Sequence, residues 1–246
     1  MTYTTENPLR VVTLCSGYDS QCLALERLKR EFPPFDYELV AWAEYDPLSK
    51  TPTPYQPAQK AHNALFPQWA DRNLGDITQV DWESVPKCDL LFYSTPCQSI
   101  SQAGLQHGFA EGSGTRSSII WNVRDAVKAL HPKYLCMENV AAIVSAKFVD
   151  MFNLWQNALA ALGYVQFPTM LNALNYGVPQ NRERMFLVSI RDDEQEYPQF
   201  NAPKQMPLKK TLRDVLEQNV AEKYYLSNKM LDYFNRVDAD KTHGQS

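Results

Sequence analysis

Four side chains in this sequence are of types that could carry out or assist a reaction, and each sits where a fold could aim it. Cys97 closes the stretch DLLFYSTPC, residues 89–97. An apolar strand ending near Pro96 would present that thiol at its carboxyl end. A thiol becomes a strong nucleophile when positive charge or helix amides favour the thiolate. The plain alternative is a small buried hydrophobe. Glu138 lies in CMENV, residues 136–140, among apolar neighbours. An ionised carboxylate is costly there, so either a neutral acid able to donate a proton or a carboxylate paired with an arginine is expected. Arg182 and Arg184 in QNRERM, residues 180–185, alternate. On an extended segment they point to the same side, a spacing suited to gripping an anion or a carbonyl oxygen.

Open α/β sheets bind ligands beyond the carboxyl ends of their strands, and three further loops fit that rule. CSGYDS, residues 15–20, places Gly17 where a tight turn and close backbone approach are needed. Glu44, with Tyr45 and Asp46, follows a second apolar run, and LGDIT, residues 74–78, supplies Asp76 and Ile77. Taken singly, these are a turn, a solvated strand-end carboxylate and an Asp-containing turn. In sequence, a glycine turn followed by two acids suits an adenosine-containing cofactor, one acid for the ribose and one for an exocyclic amine. The segment after Cys97, residues 98–116, is polar and holds four glycines. Loops of this length are functional lids or disordered.

The elements that must hold these groups alternate in type. Residues 10–15, 38–44, 88–94, 133–140 and 184–190 read as short buried strands. Residues 20–32, 116–132 and 148–163 read as helices, the second stopped at Pro132 and the third at Gly163. This alternation predicts an α/β fold, a mostly parallel sheet with helices on both faces. Residues 49–68, with four prolines, read as a surface excursion carrying a short helix. Residues 192–207 read as a linker or long loop, followed by short helices at 211–218 and 227–237.

The bulk numbers set bounds. The chain has 246 residues, 44% hydrophobic and 21% charged, the balance of a globular protein with a sizeable core. A formal charge of −4 and a pI near 5.6 argue against a surface built for nucleic acid. The five cysteines include no C-x-x-C pair, so neither a disulfide framework nor a metal site is indicated, and a reducing compartment is expected. The amino terminus is not that of a signal peptide, and no apolar stretch approaches the ~20 residues of a membrane span.

Residues 10 to about 190 resemble the cytosine-C5 methyltransferase family, with LCSGYDS, AEYD, GDI, PCQ, ENV and QNRER in order. The resemblance implies a Rossmann-like fold that binds S-adenosylmethionine and releases S-adenosylhomocysteine. It implies cofactor contacts from Leu14, Cys15, Ser16, Gly17, Tyr18, Glu44, Tyr45, Asp76, Ile77 and Pro96. Cys97 would add to carbon 6 of a flipped-out cytosine, and Glu138 would hydrogen-bond N3 and the exocyclic amine. Arg184 would hold the carbonyl oxygen at position 2, with Arg182 in support, and Gln98, Ser99 and Asn139 would contact substrate. Carbon 5 would then take the methyl group. Double-stranded DNA in a bacterial or phage-infected cytoplasm is the implied setting, in restriction–modification or phage DNA protection. Methylation of tRNA, or a half-enzyme role beside a second chain, remains open as an alternative. The first turn departs from the family pattern at Tyr18, Asp19 and Ser20, where a second glycine region is usual. The target-recognition region and the family's last motifs are not evident. Residues 1–191 are therefore expected to form the catalytic domain. Residues 192–246 would be a linker and the start of a truncated recognition region, leaving the isolated chain with little activity.

Overall fold

In a computed structural model the described residues are 3–97, 108–193 and 199–243, with side-chain surroundings given as far as residue 237. Six strands form one sheet. They are β1 (Leu9–Leu14), β2 (Tyr37–Ala43), β3 (Leu90–Tyr93), β4 (Tyr134–Val140), β5 (Tyr164–Asn172) and β6 (Glu183–Arg191). The sheet order is β2-β1-β3-β4-β6-β5, and β6 runs antiparallel to both of its neighbours while the other pairs are parallel. The carboxyl ends of five strands and the beginning of β6 therefore share one edge.

Alternation along β1 shows how the sheet is covered on both faces. Val12 and Leu14 join one apolar cluster with α3 (Ile120–Leu130) and α4 (Val149–Ala160). Val11 joins the other with Trp42, α1 (Ser20–Glu31) and the turn Pro67–Arg72. Parallel strands buried on both faces read as continuous apolar runs, which is why β1 to β4 are visible in the sequence. The helices end where expected: His131 adopts a left-handed conformation before Pro132, and Gly163 has φ +85°.

Two elements differ from expectation. β5 is an unpredicted strand; it lies at the sheet edge, carries Pro168 and has only Tyr164 fully buried, so its pattern is neither alternating nor continuous. Proline is tolerated there because an edge strand pairs on one side only. The excursion after β2 contains α2 (Pro57–Leu65) as expected, but it is not a surface feature throughout. Gln56, Gln59 and His62 are buried. Beyond residue 200 nearly every described side chain to 237 is exposed, including those at the start of α5 (Asn228–His243).

Candidate active site

The segment after β3 is fastened on three sides. The Ser94 amide donates to the Leu14 carbonyl of β1, at 3.2 Å. Asn139 Nδ2 of β4 donates to the Thr95 carbonyl, at 3.3 Å, and Ser117 Oγ donates to the Pro96 carbonyl, at 2.8 Å. Three consecutive residues are thus tied to three separate elements immediately before Cys97. The thiol stands at the tip of a central strand, half-buried and accessible.

Glu138 projects from the neighbouring strand β4. Its Oε1 lies 2.9 Å from Arg184 Nε and 3.9 Å from Arg182 Nη2. Its Oε2 accepts a hydrogen bond from Ser94 Oγ. The register explains the meeting. Glu138 pairs with Phe186 and Val140 with Arg184, so Glu138, Arg184 and Arg182 all fall on one face of the β4–β6 pair. The apolar burial expected for Glu138 is only partial, because its side chain is 26% exposed and faces two guanidinium groups.

Ser94 also lines a cavity of about 700 Å³ beside this cluster. Its walls include Cys15 and Gly17 from the first turn, Glu44, Tyr45 and Asp46 after β2, Asp76 and Ile77 from the third loop, and Pro96. Glu44 Oε2 accepts the Gly17 amide at 2.7 Å, locking the two loops together. Burial pushes the Glu44 carboxyl up, and the Gly17 amide partly offsets this. Asp76 caps its own turn through Thr78 and still faces the cavity. Burial pushes the Cys15 thiol up to about 12, so it acts as a small neutral wall group.

Several sequence expectations change. Leu14, Ser16 and Tyr18 stand off the cavity: Leu14 and Ser16 are buried within the sheet and turn, and Tyr18 projects into solvent. Asn139 is 2% exposed and holds the Thr95 carbonyl. Its side chain is thereby engaged with the segment that leads to Cys97. Gln98, Ser99 and most of the expected lid lie outside the described residues. Sequence reasoning missed Gln56, Ser94, Arg116 and Asn122 as wall residues. The spacing of Gln59, His62 and Phe66, one helical face, was the available signal that the excursion packs inward.

The C-5 cytosine-specific DNA methylase profile matches residues 9–246. The chain belongs to this family. The type II methyltransferase M2.ScrFI of Lactococcus lactis subsp. cremoris is 39% identical over 193 residues, covering 76% of this chain and 53% of that protein. The orphan methyltransferase M.SssI of Spiroplasma monobiae is 36% identical over 185 residues, covering 74% of this chain and 46% of that protein. The chain thus spans about half the length of these relatives. Among solved structures, Spodoptera frugiperda DNMT2 aligns with a TM-score of 0.63 at 20% identity, over 91% of this chain and 64% of that one. That likeness establishes the fold, the Rossmann-like architecture of this methylase family. Among the described residues no helix is long and apolar enough to cross a membrane.

Proposed function

We propose that this chain is the catalytic part of a DNA cytosine-C5 methyltransferase that uses S-adenosylmethionine. One observation carries the reading: the tip of β3 that presents Cys97 is joined through Ser94 both to the Glu138–arginine cluster and to the large cavity. A nucleophile, an acid and a cofactor-sized space thereby share one edge of the sheet. The cavity fits the cofactor in size and in chemistry. Glu44 and Asp76 offer acceptors for hydroxyl and amine groups, while Ile77, Pro96 and Ile119 offer apolar surface for a flat ring. When bound, S-adenosylmethionine supplies the methyl group that carbon 5 takes, leaving S-adenosylhomocysteine.

The protein's own residues carry the remaining work. The Cys97 thiolate adds to carbon 6 of the extruded cytosine, which makes carbon 5 electron-rich. Glu138 protonates N3 and so takes up the charge that develops on the ring. Arg184 holds the acid in place and donates to the carbonyl oxygen at position 2, with Arg182 behind it. After carbon 5 is methylated, solvent water takes its proton, the freed electron pair restores the carbon 5–carbon 6 double bond, the Cys97–carbon 6 bond breaks with its electrons leaving on sulfur, and N3 returns its proton to Glu138. Extruding the base costs a few kcal/mol, which contacts to DNA must offset.

Residues 1–191 form the catalytic unit in this reading. Residues 192–246 form a linker and the start of a recognition region, a reading supported by the exposure of nearly every described side chain from 201 to 237. Target recognition then comes from a further region or a second chain, which accounts for a net charge of −4 on this part. The cellular setting is the cytoplasm of a bacterial or phage-infected cell. The test is a covalent adduct between Cys97 and duplex DNA containing 5-fluorocytosine, with S-adenosylmethionine present. It is run with the chain alone and with the carboxyl-terminal part of M2.ScrFI added. The adduct is expected in the supplemented reaction and absent for Cys97→Ser. Failure to form it in either reaction overturns the proposal.

A further inference from the structure

Asp19 stands at a point where backbone geometry would favour glycine. Its φ is +67° and its ψ 59°, a left-handed conformation that most side chains resist. Its carboxylate is fully buried. Oδ1 caps α1 by accepting the Cys22 amide at 3.4 Å, and Oδ2 accepts from Thr13 Oγ1 at 2.7 Å. Oδ2 also lies 3.6 Å from Nε2 of His62, a side chain equally buried. His62 is stacked on Trp42, with ring centroids 3.6 Å apart and planes at 19°, and neither ring nitrogen has a hydrogen-bond partner.

A buried carboxyl group needs polar partners around it. Among the described residues the basic side chain in contact with Asp19 is His62. The two belong to different walls of the cavity. Asp19 ends the turn that supplies Cys15 and Gly17, while His62 lies one turn beyond the residues Gln56, Pro57 and Ala58 that α2 and its cap contribute. We propose that Asp19 and His62 form a positioning pair that docks the α2 segment against the first turn, and so sets the width of the cofactor cavity. This inference rests on reading the cavity as the S-adenosylmethionine site.

Calorimetric binding of S-adenosylhomocysteine to the 246-residue chain tests it. His62→Phe keeps the ring on Trp42 and removes the base. Asp19→Gly removes the carboxylate and suits the left-handed turn. Contacting pairs couple, whereas independent sites add. His62→Phe is expected to weaken binding about tenfold or more, because it removes the contact that ties α2 to the first turn. The double variant Asp19→Gly/His62→Phe is expected to bind within about threefold of His62→Phe, because both changes remove the same tie. Wild-type affinity in His62→Phe overturns the proposal, as do losses in the two single variants that simply multiply in the double. If His62→Phe fails to fold, a folded and binding double variant supports the pair, and an unfolded one overturns it. Absence of binding by the wild-type chain instead refutes the cavity assignment itself.

Discussion

Asn139→Ala is the sharpest test of how the nucleophile is held. Asn139 is buried, its Nδ2 donating to the Thr95 carbonyl at 3.3 Å and its Oδ1 accepting the Val140 amide at 2.9 Å. Thr95 is only 5% exposed, so its carbonyl has little access to water once the amide is gone. A buried polar group left unpaired costs about 1–3 kcal/mol, and a lost neutral hydrogen bond about 1 kcal/mol more. The expected loss is therefore about 2–4 kcal/mol. For a chain of this size each kcal/mol lowers the Tm by about 2–4 °C, which predicts a drop of about 4–16 °C in a calorimetric scan. Ser117→Ala, which frees the Pro96 carbonyl, is expected to cost about 1–2 kcal/mol by the same reasoning. The functional readout is adduct formation by Cys97, which slows in both variants as the tip loosens. A Tm for Asn139→Ala within about a degree of wild type, with an unchanged adduct rate, refutes the claim that these bonds define the position of the thiol.

Two further perturbations separate the acid from the cavity. Ser94→Ala removes one hydrogen bond to the Glu138 carboxyl; charge-assisted bonds contribute about 1.5–3 kcal/mol, so methyl transfer falls about 10- to 100-fold in kcat with KM for DNA little changed, while Ser94→Thr recovers most of it. A selective rise in KM would mean that Ser94 binds substrate instead. Glu44→Gln keeps an acceptor for the Gly17 amide and removes a carboxyl whose pKa is raised by burial. A raised folded-state value means that this group's contribution to stability is full below the unfolded value and is lost as pH rises through the folded one. Glu44→Gln should therefore be as stable as wild type or more so at pH 7, and should show less gain than wild type on acidification toward pH 5, read from Tm against pH. Cofactor affinity should fall at the same time.

The four central strands were legible because both of their faces are buried, which forces continuous apolar runs from Val11 to Leu14 and from Leu90 to Tyr93. The same logic hid β5: an edge strand with Pro168 and half-exposed side chains carries no such constraint. Cys97, Glu138, Arg182 and Arg184, the residues of the proposed site, stand out in the sequence by type and spacing, and their order along the chain maps onto adjacent strands. The contacts of Ser94 and Asn139 were not readable, because a serine and an asparagine look alike in sequence whether they touch a ligand, a side chain or backbone. Their partners, Glu138 and the Thr95 carbonyl, are 44 residues away in the chain, and only the β3–β4 register brings them together. The inward packing of α2 was masked for a related reason: Gln59 and His62 are polar by type and buried by pairing.

The antiparallel strand explains why the arginines come last and still reach the acid. In an all-parallel sheet a strand beside β4 would begin at the far edge, and side chains preceding it would lie a full strand length from Cys97. Reversing β6 puts its first residues at the carboxyl edge, opposite Val140 and next to Glu138. The chain uses α4 and β5 to make that reversal, and β5 then serves as the support. Leu171 pairs with Arg184 and Asn172 with Glu183, while Asn172 Oδ1 accepts the amide of Arg182 at 3.2 Å. The edge strand that is least visible in the sequence therefore positions both guanidinium groups. Its loosening would move the arginines off Oε1 of Glu138 while leaving in place the bonds that fasten the β3 tip before Cys97, so the arginines and the β3 tip are held by separable parts of one sheet.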